Sequence, residues 1–218
     1  MRRRTKKKIW KNKKKKRNSR NAQKSKKSAL ELSNKKIWIR NDGARFEIQP
    51  MKGDGSCLFR AMSYFVFGNQ DNHDFTRLKV VKYISDHWDR FKNFASGRSV
   101  EDYENHMNTP GTYGGEAEIV AFSYLFRCQV HVLFKHFPER SAVTFGTDSV
   151  QCFMIYSGPP DEGHYDVLVP STNQACNLHL YKELINQLRY VTAAVYELDL
   201  ADFKEKKNNS GKRSFIKK

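Results

Sequence analysis

Between Arg2 and Lys36 the chain carries 18 of its 40 lysines and arginines and a single acid, Glu31. Runs such as Arg2-Arg3-Arg4 and Lys13-Lys14-Lys15-Lys16-Arg17 repel themselves and offer nothing to pack. A fold must therefore be built from Ile37 onward, with residues 1–36 expected as a disordered basic tail and 206–218 as a second basic tail. The formal net charge of +17 suits a polyanionic partner, so the first tail reads as a nuclear address or a non-specific nucleic-acid arm. Trp10 is the only aromatic among those lysines, which gives base stacking little support. No zinc-finger, helix-turn-helix or RNA-recognition signature accompanies the arm.

The chain beyond Ile37 suits one globular domain. No apolar run approaches the roughly 18 residues that a membrane helix needs, and the charged N-terminus lacks the apolar segment of a secretory signal. An intracellular, reducing setting is expected, nucleus and/or cytoplasm, with no membrane partner; oligomeric state leaves no mark on the sequence. The cysteines, Cys57, Cys128, Cys152 and Cys176, are far apart and form no C-x-x-C pair. Zinc ligation wants closer spacing, so neither a metal nor a cofactor is expected, and disulfides are unfavourable in a reducing compartment. Cys128 and Cys152 sit in apolar runs and read as small core residues.

Periodicity then orders the domain. "KIWIRNDGARFEI" has alternating arms about Asn41-Asp42-Gly43, a tight-hairpin signal. Apolar residues after Cys57 follow helical spacing. Phe75–Phe94 reads as one helix with Asp74 as its N-cap, a short helix starts at Ser99, and Gly115–Phe126 reads as a buried helix. Three strand candidates come next, Cys128–Phe134, Val150–Tyr156 and His164–Val169, with Ser157–Gly163 as a turn. Helices first and strands later predict an α+β domain with a small sheet packed on helices. A last helix, about Leu178–Phe203, carries Tyr181, Leu184, Leu188, Val191, Val195 and Leu198 as an apolar stripe. That stripe can pack back on the domain or present a docking surface.

"MKGDGSCLFRAM", Met51–Met62, places glycines directly ahead of a cysteine that opens a helix. Glycine supplies unusual backbone angles, and the positive end of the helix dipole favours a thiolate. Such a nucleophile needs a histidine and a group to orient it. His73, His87 and His106 lie in loops or on polar faces, and His131 lies mid-strand as a structural histidine. His136 and His179 have no informative neighbours. His164 opens a strand on which residues i and i+2 share a face, so Asp166 stands beside it. Asp166 is expected to accept the Nδ1 proton, leaving Nε2 for the thiol. Cys57, His164 and Asp166 together make a chemically complete triad.

"GDGSCLFRAM", "TYGGEAEIVAFSYLF" and "GHYDVLV", in that order, resemble the ovarian tumour (OTU) family of cysteine proteases over about Ile37–Pro170. Tyr113 stands where the family usually has tryptophan, and Ser56 where it usually has asparagine. The resemblance implies a papain-like fold, with the small sheet packed between helices, and hydrolysis of isopeptide or peptide bonds after the C-terminal glycine of ubiquitin. By match, Cys57 is the nucleophile, His164 the general base and Asp166 its orienting acid. Asp54 is the motif aspartate, whose expected work is to shape a turn with oxyanion-binding amides of Gly55, Ser56 and Cys57. The expected partner is ubiquitin or polyubiquitin. The expected organisation is a tail over 1–36, the protease domain over 37–170, a helical extension over 171–205 and a tail over 206–218. Two alternatives remain: a catalytically weak ubiquitin-binding module on the same fold, and a nucleic-acid-associated protein directed by its basic arm.

Overall fold

A computed structural model describes residues 36–40, 43–159 and 162–171, with 183, 185–187, 189–190, 199–201 and 203–208 of the C-terminal segment. The basic arm before Lys36 and Cys176 lie outside the described residues. The chain divides between Ile37 and Trp38, and the part from Trp38 onward contains the described helices and the bulk of the sheet. β1 (Lys36–Ile39) and β2 (Arg45–Gln49) are followed by α1 (Cys57–Phe67), α2 (His73–Asp86), α3 (Trp88–Phe91), α4 (Val100–Met107) and α5 (Glu116–Leu125). The chain then forms β3 (Cys128–Phe134), β4 (Val143–Phe145), β5 (Val150–Ser157) and β6 (His164–Pro170). The strands join in one sheet of order β1-β2-β6-β5-β3-β4, in which β3 and β5 are parallel while β6 runs antiparallel to both β5 and β2.

Sheet alternation divides the apolar side chains into two sets. Cys152, Met154 and Val167 join the main core with Cys128 and Val130, against Leu58, Phe59, Met62, Phe65 and Phe122 of α1 and α5. Their neighbours Ile155 and Leu168 join Phe46 and Leu133 in a smaller cluster, with Trp38 and Phe153 packed on it. Nine of the eleven residues of α1 are buried, each large side chain contributing roughly 1.5–3 kcal/mol. The catalytic-looking loop is thus attached to the most deeply packed helix. Cys128 and Cys152 are fully buried core residues with free thiols.

Several boundaries differ from the periodicity. The single helix expected over Phe75–Phe94 is two, because His87 leaves the helical region at φ −122°, ψ 32° and its ring stacks on Tyr83 with centroids 4.3 Å apart. The N-cap of α2 is Asn72 in place of Asp74, which falls in the first turn. Ser99 does cap α4, its Oγ accepting from the Asp102 amide at 3.2 Å. Strand β4, which periodicity does not reveal, pairs with β3 through Val130–Phe145, His131–Thr144 and Val132–Val143. His131 is the half-buried structural residue expected, stacked on Phe153 at 4.8 Å with Nδ1 3.1 Å from Thr144 Oγ1.

The described residues of the C-terminal segment are helical and touch α1 and α2. Ile185 is buried in the main core. Arg189 donates from Nε to the Phe65 carbonyl (3.1 Å) and from an η nitrogen to the Tyr64 carbonyl (3.0 Å), the second of which also accepts the Gly68 amide at the end of α1. Phe203 meets Phe75 edge-on at 5.7 Å, and Asp199 pairs with Lys79 at 2.5 Å.

Candidate active site

Cys57 is the first residue of α1 and only 2% exposed. The loop before it is held from three directions. Gly55 has φ +79°, and a Cβ there would lie 2.0 Å from the Gly111 carbonyl oxygen, so backbone packs on backbone where no side chain fits. Asp54 accepts from Arg60 Nε at 3.1 Å and from its η nitrogen at 2.5 Å, and also from the Ser56 amide at 3.2 Å. The Arg60 guanidinium holds the Asp54 carboxyl well below the usual carboxylate range, with the Ser56 amide assisting. Ser56 Oγ does not cap α1; it accepts from Arg77 at 3.1 Å.

Arg77 is the buried tie behind this loop. Its other bonds run to the carbonyls of Met107 (3.1 Å) and Thr112 (2.8 Å), and its guanidinium lies over Phe59, 4.0 Å from the ring centroid. It therefore fastens the residues before Cys57 to the segment that presents Gly111 and Tyr113. Arg60 and Arg77 are the site residues that sequence reasoning missed. A signal existed for Arg60, the only charged residue in the buried face "CLFRAMSYFVF", since an arginine there needs a paired acid. Arg77 sits in a helix of ordinary polarity and gave none.

α1 packs against β6, which brings the start of that strand to the helix head. His164 Nε2 lies 3.0 Å from Asp166 Oδ1, and the same oxygen accepts the Met51 amide at 2.8 Å. The pairing on one strand face is as expected, but the ring is turned. Nε2, not Nδ1, faces the aspartate, and Nδ1 lies on the edge beside Gly53, 3.9 Å from where a Cβ would stand. The imidazole and the Met51 amide thus share one Asp166 oxygen.

Burial pushes the Cys57 thiol up, against the pull of the Tyr165, Leu58 and Cys57 amides, and the nearby Asp166 charge raises it further. Helix-dipole reasoning alone predicts the opposite direction; at 2% exposure the lost hydration of a thiolate outweighs it. Of the three amides expected to bind an oxyanion, that of Ser56 donates to Asp54 Oδ1 at 3.2 Å. Beside the strand lies a cavity of about 520 Å³, bordered by Tyr113, Gly114, Gly115, Gly163 and Tyr165. Among the described residues no cluster of His, Cys, Asp or Glu could hold a metal ion, and no helix is long and apolar enough to cross a membrane.

A family model for the OTU-like cysteine proteases matches residues 52–165, just over half of the chain. The chain belongs to that family. It is 27% identical to OTU domain-containing protein 4 of Homo sapiens over 162 residues, 72% of this chain and 14% of that protein. It is 28% identical to OTU domain-containing protein 1 of Mus musculus over 151 residues, 64% of this chain and 31% of that protein. The chain thus spans less than a third of the length of these curated relatives. A solved OTU domain in complex with ubiquitin superposes with a TM-score of 0.50 at 20% identity, covering 73% of this chain and 95% of that one. The Hazara virus OTU bound to ubiquitin gives 0.50 at 16% identity over 63% and 87%. At these identities the likeness establishes the fold.

Proposed function

We propose that this protein is a thiol-dependent ubiquitin hydrolase in which Cys57 is the nucleophile, His164 the general base and Asp166 the residue that orients it. The observation that carries the reading is the single Asp166 oxygen shared by His164 Nε2 and the Met51 amide, which leaves Nδ1 free of the aspartate on a strand that packs against the helix Cys57 opens. Family membership and the ubiquitin held by two proteins of the same fold supply the substrate class.

In this mechanism His164 Nδ1 takes the proton from Cys57 Sγ. Forming the imidazolium beside the sulfur offsets the burial that otherwise keeps the thiol protonated. The thiolate attacks the carbonyl carbon of the terminal glycine, and the oxyanion is received by the Gly55 and Cys57 amides. Nδ1–H then protonates the departing lysine amine, leaving a thioester on Sγ. Water, deprotonated by the same nitrogen, adds to the thioester carbonyl, and the carboxylate leaves as Sγ regains a proton. Asp166 moves no proton; it steadies the ring and stabilises its charged form. Asp54 acts at one remove, by shaping the loop through Arg60 and the Ser56 amide. The cavity beside Tyr113 and Gly163 suits the extended end of the acyl chain.

A panel of di-ubiquitins of every linkage, incubated with wild type and with Cys57→Ala, tests the proposal. Cleavage of at least one linkage by wild type and none by the variant is expected. A wild type that binds ubiquitin but cleaves no linkage would favour the catalytically weak module. The basic arm would add an address, nuclear or nucleic-acid-directed, without altering the chemistry.

A further inference from the structure

We infer that Tyr156 is a positioning residue for His164, acting through the turn that delivers the histidine to Cys57; the inference rests on the reading of His164 as the general base. Tyr156 lies on β5, paired with Tyr165 of β6, and its neighbour Ser157 pairs with His164. Its hydroxyl donates to the Pro159 carbonyl at 2.5 Å and accepts the Gly163 amide at 3.0 Å. One phenol thus closes both ends of the β5–β6 connection, and its second bond falls on the residue immediately before His164.

The ring matters as much as the hydroxyl. A Cβ at Gly163 would lie 2.0 Å from Tyr156 Cζ and 2.2 Å from its oxygen, so the ring occupies the space that any larger residue would need. On the other side of the histidine, Tyr165 packs on Tyr156 with centroids 4.9 Å apart. His164 is therefore clamped between two residues that both rest on Tyr156, while Asp166 fixes only the rotation of its ring. Beside the ladder pairing of Ser157 with His164, the Ser157 side chain adds only a long bond, 3.5 Å to the His164 carbonyl, so among these side chains Tyr156 makes the closer tie to the turn.

Tyr156→Phe in the full chain keeps the ring and removes both bonds, leaving the Gly163 amide and Pro159 carbonyl to find other partners. Three readouts separate positioning from bulk stability. With a fluorogenic ubiquitin C-terminal amide, kcat should fall about tenfold with KM unchanged within about twofold, since sub-ångström misplacement of a reacting group acts on the chemical step. The pH profile of Cys57 alkylation by iodoacetamide should move its acid limb to higher pH, because a displaced imidazolium stabilises the thiolate less. Gly163→Ala, which drives a methyl into the ring, should reproduce both effects, and adding Tyr156→Phe to it should cost little more. Wild-type kcat and an unshifted alkylation profile in Tyr156→Phe, whatever its melting temperature, would overturn the inference, as would a rise in KM alone. If wild type turns over no ubiquitin substrate, the proposed activity fails, and the alkylation profile still decides the role of Tyr156.

Discussion

Gly55→Ala perturbs the backbone contact on which the proposed oxyanion loop rests. At φ +79° an alanine costs about 1–2 kcal/mol relative to glycine. The new Cβ would also start 2.0 Å from the Gly111 carbonyl oxygen, where real Cβ contacts essentially never come under 3.0 Å. The loop or its neighbour must therefore shift by about 1 Å, a misplacement on the order of 10²-fold in rate, or roughly 2.7 kcal/mol. Gly43→Ala is the matched control, with a similar φ of +83° and nothing within 4 Å of its Cβ. Hydrolysis of a fluorogenic ubiquitin amide, with calorimetric melting alongside, should give about 10²-fold lower kcat/KM for Gly55→Ala. Both variants should lose about 2–8 °C of melting temperature, and Gly43→Ala should keep its turnover. Equal turnover in the two variants would refute the claim that the Gly55–Gly111 contact places the catalytic loop.

The two aspartates should separate by experiment. Asp166→Ala should lower kcat by one to two orders of magnitude, and Asp54→Asn should act mainly through the loop. Because Asp54 is held below its unfolded value, its stabilisation is complete above about pH 4 and is lost as pH falls further; urea melts of wild type and Asp54→Asn should converge in that acid range, and a constant gap would contradict the Arg60 pairing. Truncation after Pro170 removes Ile185, the two Arg189 bonds and Phe203, roughly 3 kcal/mol or more. It should lower the melting temperature by about 6–12 °C, whereas an unchanged melt with weaker cleavage of ubiquitin chains would mark a docking helix instead. Deleting residues 1–36 should leave the melt unchanged but flatten salt-dependent retention on heparin; retention identical to wild type would remove the polyanion-binding role.

The parts of the site that could be read in the sequence are those set by local rules. Cys57 at a helix head follows from glycines meeting a 3.6-residue pattern, and His164 beside Asp166 follows from the two-residue period of a strand. The turned imidazole could not be read, because strand spacing places a residue on a face without setting the rotation of its ring, and neither could the bond from the Met51 amide to Asp166, 115 positions away. Nor could the bond from the Ser56 amide to Asp54, which forms only once the loop has closed. Arg77 was invisible for the same reason, its three acceptors coming from segments that only the fold assembles. In the fold, β4 was missed because three residues, two exposed and one half-buried, carry too little alternation. The long helix breaks at His87, whose backbone at φ −122°, ψ 32° leaves no periodic trace.

Whether Cys57 is the sulfur that attacks the end of ubiquitin is the point on which the proposed chemistry stands or falls. Treating wild type and Cys57→Ala with ubiquitin carrying a C-terminal electrophile, then mapping the adduct by peptide mass spectrometry, tests it most directly. One ubiquitin per wild-type chain is predicted, attached at Cys57, with no adduct on the variant. An adduct on Cys128, Cys152 or Cys176, or one that survives Cys57→Ala, would contradict it.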